Sequence, residues 1–151
     1  MNSALASDDA RQAGYDEAIF LNENGHVAEG ATCNLFMVRD GKLFTPGVTE
    51  NALEGITRNC VMELAFREMG LRVMERPIDR SELYGADELF FTGTAAGVVY
   101  IRSVDHRTIG SGTMGPITRR LGEFYERVVR GKERTYAHWL TRTYAGRTVQ
   151  A

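Results

Sequence analysis

The stretch that decides the fold is EGATCNLFMVRDGKLFT, residues 29–45. An extended segment ends at Glu29, small and polar residues turn the chain, and NLFMV at residues 34–38 has the composition of a strand. Asp40-Gly41 is a hairpin signal, and KLFT at residues 42–45 forms the return strand. Together with a turn at Asn24-Gly25, this region predicts an antiparallel meander, which needs a second layer to cover its apolar face.

That second layer is predicted to be helical. Ile56, Cys60 and Leu64 fall at helical spacing and Gly70 stands where a left-handed C-terminal residue belongs, so we expect a helix over residues 57–69. Pro116 suits the first turn of a last amphipathic helix. The other predicted elements are a helix over residues 2–13, a short helix over residues 79–84, strands over residues 17–22, 26–29, 71–75, 88–92 and 98–104, and a loosely held tail over residues 132–151. The sequence therefore predicts one mixed α/β domain over residues 1–131, followed by a polar tail.

Composition excludes several classes of protein. The chain has 151 residues, 43% hydrophobic and 25% charged, as in an ordinary globular domain. It has no apolar run of roughly 20 residues that could span a membrane and no secretory signal pattern, and its net charge of −2 argues against nucleic-acid binding. The two cysteines and three histidines form no metal-binding pattern, and His26, His106 and His138 are expected to be solvated. We expect a cytoplasmic domain without a metal.

Three short segments could bind a ligand, and each also has a purely structural interpretation. Glu29 could pair with a backbone donor or an arginine, or it could face a protonated ring nitrogen and hold its charge. Gly55-Ile56-Thr57 opens a helix whose free amides attract anions, with Thr57 either adding a donor or capping the helix. Gly93-Thr94-Ala95-Ala96 follows a strand, and its small residues either let the backbone approach a ligand or form a tight connection.

Residues 110–115, GSGTMG, match the glycine pattern of dinucleotide-binding loops. Such a site needs a strand leading into the loop and a second parallel strand after the following helix. No strand is predicted after the last helix. We therefore expect a connecting loop at this position and no dinucleotide site.

EGATCNLF at residues 29–36, LFT at residues 43–45 and LEGITR at residues 53–58 together resemble the signature of class IV aminotransferases, the fold-type IV pyridoxal-phosphate enzymes. ADELFFTGTAA at residues 86–96 and IGSGTMGPITRRL at residues 109–121 look most like branched-chain amino acid aminotransferases. The resemblance covers residues 2–131 and only the C-terminal, larger domain of that family. It implies a largely antiparallel sheet or pseudo-barrel with flanking helices.

The resemblance implies pyridoxal 5′-phosphate as the cofactor and gives each segment a role. Glu29 would face the pyridine nitrogen and keep it protonated. Gly55 and the amides of Ile56 and Thr57, with the Thr57 side chain, would hold the cofactor phosphate, which Thr94 would also reach. We therefore expect Glu29, Thr57 and Thr94 to surround one cavity.

The implied substrates are amino acids and 2-oxo acids, and the implied reaction is amino group transfer between branched-chain L-amino acids and 2-oxoglutarate. The amides around Thr94 and Ala95 would receive the substrate carboxylate. Cys33 and Gly97 depart from the family pattern, since relatives carry a polar or acidic residue at the first position and a glutamate at the second. A D-amino acid aminotransferase, an aminodeoxychorismate lyase and a catalytically silent domain that binds a ligand or a partner protein stay open as alternatives.

Only two of the 18 basic residues are lysines, Lys42 and Lys132. Transamination by pyridoxal phosphate needs a lysine that carries the cofactor as a Schiff base. Neither lysine matches the family's position, which the resemblance places upstream of Met1. We therefore expect no catalytic residue in this chain, no useful activity from the chain alone, and a homodimer or higher homo-oligomer for the full-length protein.

Overall fold

The computed structural model describes residues 2–141, in which short strands alternate with helices. The elements in chain order are α1 (Asn2–Gln12), β1 (Ile19–Leu21), β2 (Val27–Gly30), β3 (Asn34–Arg39), β4 (Lys42–Thr45), a first 3₁₀ helix (Val48–Glu50), α2 (Ile56–Met69), β5 (Val73–Glu75), α3 (Arg80–Leu83), β6 (Glu88–Gly93), β7 (Gly97–Tyr100), β8 (Ser103–Val104), β9 (Arg107–Thr108), α4 (Pro116–Val129) and a second 3₁₀ helix (Arg134–Trp139). The predicted mixed α/β class is confirmed.

A five-stranded sheet in the order β5-β4-β3-β6-β7 forms the centre of the fold. β3 runs antiparallel to both β4 and β6, and β6 runs antiparallel to β7. β5 is parallel to β4, and α2 makes the crossover that parallel strands require. In the β3–β6 register Asn34 lies opposite Thr92, so these two polar side chains share one face of the sheet.

Both faces of the sheet are covered, which explains why β3 is buried along most of its length. Leu35 and Met37 belong to one apolar cluster, with residues from the α3 region, while Phe36 and Val38 belong to a second cluster under α2 and α4. In the second cluster the Phe36 and Phe90 rings stack with centroids 5.0 Å apart. The near-continuous apolar run of β3 is typical of a strand buried on both faces.

A buried carboxylate at the start of β6 fixes the N-terminus of α4. The two oxygens of Glu88 accept hydrogen bonds from the Ile117 amide at 3.0 Å and the Thr118 amide at 2.8 Å, and the Thr118 hydroxyl adds a third at 2.6 Å. Gly115 leaves room for this contact, since a Cβ there would lie 2.1 Å from the Glu88 carboxyl carbon. Two backbone amides in the first turn of the helix, those of Ile117 and Thr118, are thereby satisfied.

The predicted strand over residues 98–104 is wrong in its second half. β7 ends at Tyr100, and Ser103–Val104 pairs instead with Arg107–Thr108 in a separate hairpin. Asp105 and His106 form its turn with φ of 49° and 62°, the backbone that suits two-residue hairpins. The expected strand over residues 17–22 is likewise shorter and spans Ile19–Leu21.

Residues 132–141 differ from the loosely held segment that the sequence suggested. The 3₁₀ helix Arg134–Trp139 packs Tyr136 against α4, where its ring meets Phe124 edge-on at a centroid distance of 6.0 Å. Tyr136 is 2% exposed and donates its hydroxyl to Glu68 of α2 at 2.6 Å. The stretch is polar in composition, and the sequence therefore offered no indication that the Tyr136 ring is buried. Residues 142–151 of the expected tail lie outside the described residues.

The expectation that all three histidines are solvated is wrong for His26. Its Nδ1 lies 2.9 Å from Oε2 of Glu50, and its side chain is half-buried. This hydrogen bond from His26 is the main reason why the pKa of Glu50 is lowered. His106 and His138 are exposed, as predicted.

Tyr136→Phe tests whether this segment contributes to stability. Removing the hydroxyl deletes the hydrogen bond to Glu68, and we expect the free energy of unfolding in urea to fall by about 1 kcal/mol. Tyr100→Phe is the matched control, because the Tyr100 hydroxyl forms no hydrogen bond within residues 2–141. Equal stabilities of the two variants would show that the segment is not held in this way.

The Arg76–Glu82 pair makes stability depend on pH in the acid range. Hydrogen bonding from Arg76 is the main cause that lowers the pKa of Glu82 from 4.5 to about 2. A lowered pKa in the folded state stabilises the fold above pH 4.5, and this contribution is lost as the pH falls from 4.5 towards 2. We expect the stability difference between the unsubstituted chain and Glu82→Gln, measured by urea unfolding, to be largest at neutral pH and to shrink towards pH 2. A difference independent of pH would contradict this.

Candidate functional site

Glu29 is held by two donors at the end of β2. Its Oε2 accepts a hydrogen bond from the Asn34 side-chain amide at 2.9 Å and from the Leu53 backbone amide at 3.1 Å. Both donors bind the same oxygen, so within residues 2–141 the other oxygen, Oε1, has no hydrogen-bond partner. The structural interpretation of Glu29 as a carboxylate paired with a backbone donor is therefore correct, and one oxygen is left for a ligand.

Asn34 connects the sheet to the start of α2. Its amide nitrogen donates to Glu29 and also to the Leu53 carbonyl at 2.8 Å. Its amide oxygen lies against Gly55, where a Cβ would be only 2.1 Å away. A glycine at position 55 is thus required by this close approach, while its φ of −66° is open to any residue.

The N-terminus of α2 presents unsatisfied amides. Gly55 is the residue before the first helical turn and has no side chain to cap it, so the amides of Ile56 and Thr57 lack the partner that a capping side chain provides. Thr57 is the second residue of the helix, and the interpretation of it as the capping residue is wrong. Its side chain is 4% exposed, and its Oγ1 lies 3.3 Å from the Tyr125 hydroxyl.

The small-residue segment at the end of β6 connects two paired strands. This agrees with its structural interpretation as a tight connection. Gly93 pairs with Gly97, and Thr94, Ala95 and Ala96 form the exposed turn between them. This hairpin places Thr94 beside the α2 N-terminus, at the mouth of one cleft that both segments border. The connection therefore serves the fold and also contributes to the wall of a cavity.

This cleft brings the sequence-predicted residues together. It has a volume of about 180 Å³, and its lining contains all five residues expected to hold a cofactor, namely Glu29, Gly55, Ile56, Thr57 and Thr94. Ala95, which was expected to contact substrate, is not part of the lining. An acidic side chain, a helix N-terminus and a threonine from the β6–β7 turn thus face the same space.

Thr92 is a residue of the cleft that sequence reasoning missed. It is 1% exposed, it lines the cleft, and its hydroxyl has no hydrogen-bond partner within the described part of the chain. A buried hydroxyl without a partner is costly, so a ligand that accepts its hydrogen bond would be favoured. The available signal was a polar residue directly after the apolar run Leu89-Phe90-Phe91 of the same strand.

Cys33 lines the same cleft as an unreactive thiol. Burial is the main cause that raises its pKa to about 12, and nearby Glu17 adds to the effect. A thiol held protonated in this way is a poor nucleophile. Gly30 leaves space for it, because a Cβ there would lie 2.6 Å from the Cys33 sulfur.

A second, larger cleft lies elsewhere on the molecule. It has a volume of about 740 Å³, is bordered by Tyr15, Tyr100 and Arg102 among others, and shares no lining residue with the smaller cleft. None of the residues predicted to bind a ligand lies in it. The chemistry of the lining, and not the size of the cavity, places the candidate site in the smaller cleft.

Residues 2–141 contain neither a metal-binding cluster nor a membrane-spanning helix. No three His, Cys, Asp or Glu side chains lie close enough together to hold a metal ion. Among the same residues, no helix has the length and apolar character needed to cross a membrane.

Gly55→Ala tests the close packing at the site. The added Cβ would collide with the Asn34 oxygen, so Asn34 must move and its bonds to Glu29 and Leu53 are lost. We expect the free energy of unfolding to fall by about 1–3 kcal/mol. Gly85→Ala is the control, since the nearest atom to its added Cβ is 3.9 Å away. If both substitutions have the same effect, Gly55 is not needed for this contact.

Comparisons with known proteins agree on one family. The family model for class IV amino-transferases matches residues 1–104. A probable branched-chain-amino-acid aminotransferase of Aquifex aeolicus is 54% identical over 144 residues, which are 95% of this chain and 46% of that protein. Among solved structures, the branched-chain amino acid aminotransferase of Thermobaculum terrenum in its PLP-form has a TM-score of 0.90 at 49% identity, covering 93% of this chain and 46% of that one.

A second structure gives the same result. The branched-chain aminotransferase of the archaeon Thermoproteus uzoniensis, solved with norvaline, has a TM-score of 0.90 at 48% identity, covering 95% of this chain and 47% of that one. The chain thus spans about half the length of the relatives it matches. The family model matches residues 1–104 and the folds agree, so the chain belongs to the class IV aminotransferase family.

Proposed function

We propose that this chain supplies the cofactor-binding part of a pyridoxal-phosphate-dependent branched-chain amino acid aminotransferase. The observation that carries the proposal is the meeting of Glu29, the α2 N-terminus and Thr94 around one cleft. The relatives named above are branched-chain aminotransferases, one of them solved in its PLP-form, which supports this cofactor and this substrate class. They favour it over the D-amino acid aminotransferase and aminodeoxychorismate lyase alternatives.

The residues of the cleft fit pyridoxal phosphate by their chemistry. The Thr92 hydroxyl, which has no hydrogen-bond partner within residues 2–141, and the amides at the start of α2 are donors that suit an anion rich in acceptor oxygens. Glu29, whose Oε1 accepts no hydrogen bond from the described part of the chain, suits a cationic donor. Pyridoxal phosphate carries both complements, a phosphate group and a ring nitrogen that can be protonated.

In the proposed mechanism Glu29 keeps the ring nitrogen protonated. When bound, the cofactor supplies an electron-withdrawing ring that accepts the electron pair released at the substrate α-carbon. The hydrogen bonds from Asn34 and Leu53 fix the Glu29 carboxylate in one orientation. The carboxylate therefore stabilises a positive charge on the ring nitrogen.

We propose that the cofactor phosphate is bound by the amides of Ile56 and Thr57, the Thr57 hydroxyl and Thr94. The helix dipole adds a favourable positive potential at this position. The backbone around Thr94 and Ala95 remains our proposed site for the substrate carboxylate, although Ala95 lies in the exposed turn beside the cleft. Cys33 and Gly97 supply no charged group here.

Lys42 and Lys132 are both exposed, and neither lines the cleft. We therefore propose that the 151-residue chain holds the cofactor non-covalently and that the lysine for covalent attachment belongs to a longer form of the protein. For that form we propose a homo-oligomeric, cytoplasmic enzyme acting on branched-chain L-amino acids and 2-oxoglutarate. A silent domain that binds a phosphate-bearing ligand is the alternative that an active longer form would exclude.

Binding of pyridoxal 5′-phosphate to the 151-residue chain tests the proposal directly. We expect saturable binding in an absorbance titration. After borohydride reduction, mass spectrometry should find no cofactor attached to Lys42 or Lys132. Failure to bind, or attachment to either lysine, would contradict the proposed site.

Glu29→Gln tests the role of the carboxylate. With ¹⁵N-labelled cofactor, we expect the NMR shift of the ring nitrogen to show that the proton is lost at lower pH than in the unsubstituted chain, because a neutral amide does not stabilise the charge. The affinity itself should change little. Glu63→Gln is the control, as Glu63 pairs with Arg67 on α2 and is outside the cleft. An unchanged titration in Glu29→Gln would rule out this role.

A further inference from the structure

A pair of hydroxyl groups joins two helices at the proposed anion site. Thr57 of α2 and Tyr125 of α4 are 68 residues apart in sequence, and their oxygens lie 3.3 Å from each other. Within the described residues Tyr125 is the only hydrogen-bond partner of the Thr57 hydroxyl, and Thr57 as a residue is 4% exposed. The sequence motifs that resemble the family do not assign a role to Tyr125.

Each of the two hydroxyl groups has a single hydrogen, and this determines which of them donates to the other when an anion is bound. Each hydroxyl has one hydrogen to donate and lone pairs to accept. Phosphate oxygens in the charged state only accept, so Thr57 contributes a bond to the anion only if its own hydrogen points there. The bond between the two hydroxyls must then be donated by Tyr125.

The packing of α4 fixes the position of Tyr125. Glu88 anchors the N-terminus of this helix to β6, and a Cβ at Gly122 would lie 3.6 Å from Val98 of β7. The ring edge of Tyr125 lies beside Gly97, since a Cβ built on Gly97 would be 3.9 Å from Cε1 of the tyrosine. Gly97 has φ of +67°, a conformation that favours glycine. The Tyr125 ring thus lies between its own helix, α4, and the end of the β6–β7 hairpin.

We propose that Tyr125 is a positioning residue for the anion site: its hydroxyl donates to Oγ1 of Thr57 and so directs the Thr57 hydrogen towards a bound phosphate group. The proposal rests on the proposed function. The Thr92 hydroxyl in the same cleft, for which residues 2–141 offer no hydrogen-bond partner, is an independent indication that a hydrogen-bond acceptor belongs there. Tyr125 acts through Thr57 and does not itself touch the anion.

A double-mutant cycle on the 151-residue chain tests this, with pyridoxal 5′-phosphate as the probe. We expect Tyr125→Phe to weaken the affinity about 3- to 10-fold, the usual effect of losing one hydrogen bond. In a Thr57→Val background the same substitution should have no further effect, because no Thr57 hydroxyl remains to be oriented. In a Thr57→Ser background the loss should persist. Pyridoxal without phosphate should bind equally well to the unsubstituted chain and to Tyr125→Phe.

Tyr100→Phe, in the larger cleft, is the matched control and should leave the affinity unchanged. Thermal midpoints without ligand are measured for each variant, so that loss of folding is recognised. An unchanged affinity in Tyr125→Phe, or an equal loss in the Thr57→Val background, would overturn the positioning role and leave the proposed function standing. Absence of binding by the unsubstituted chain would overturn both.

Discussion

The side chain of Asn34 is the contact on which the rest of the site depends. One amide group reaches the Glu29 carboxylate, the Leu53 carbonyl and the backbone at Gly55. It therefore ties together β2, β3 and the start of α2, which are separate in sequence. Because only 6% of the surface of Asn34 is exposed, water competes little for these hydrogen bonds. The carboxylate and the helix N-terminus keep their separation only while this amide stays in place.

β6 extends the same arrangement to the second helix. Its side chains alternate, so that Glu88, Phe90 and Thr92 all lie on the face under α2 and α4. Glu88 anchors the N-terminus of α4, Phe90 stacks on Phe36 in the core, and Thr92 reaches the cleft. One strand therefore positions α4 and supplies part of the cavity wall. This connection explains how a tyrosine on α4 comes to lie beside a threonine on α2.

Much of the fold and of the candidate site could be predicted from local sequence. Turn dipeptides and apolar runs located most of the strands, and the glycine at position 70 ended α2 as expected. Glu29, Thr57 and Thr94 were found because acidic, helix-opening and small-residue segments each carry a chemical signature. Their convergence on one cleft followed from the family resemblance, since it depends on strand pairings that no local pattern encodes.

What the sequence did not reveal depends on contacts between distant residues. Thr92 and Tyr125 become notable only because β3, β6 and α4 bring other groups to them. Tyr136 stands in a polar stretch, and its burial requires the surface that α2 and α4 form together. His26 is part-buried because Glu50, 24 residues away, folds back onto it. In each case the partner is fixed by tertiary packing and not by spacing along the chain.

The pairing of Asn34 with Thr92 limits the insertions and deletions that β3 and β6 can accept. Side chains on a strand alternate between the two faces, so a shift of one residue moves every side chain to the opposite face. A single insertion or deletion inside β3 or β6 would move the residues of that strand on one side of the change from one apolar cluster to the other. Only changes by an even number of residues preserve the parity of the pairing. Changes in length within these two strands are therefore constrained to steps of two residues.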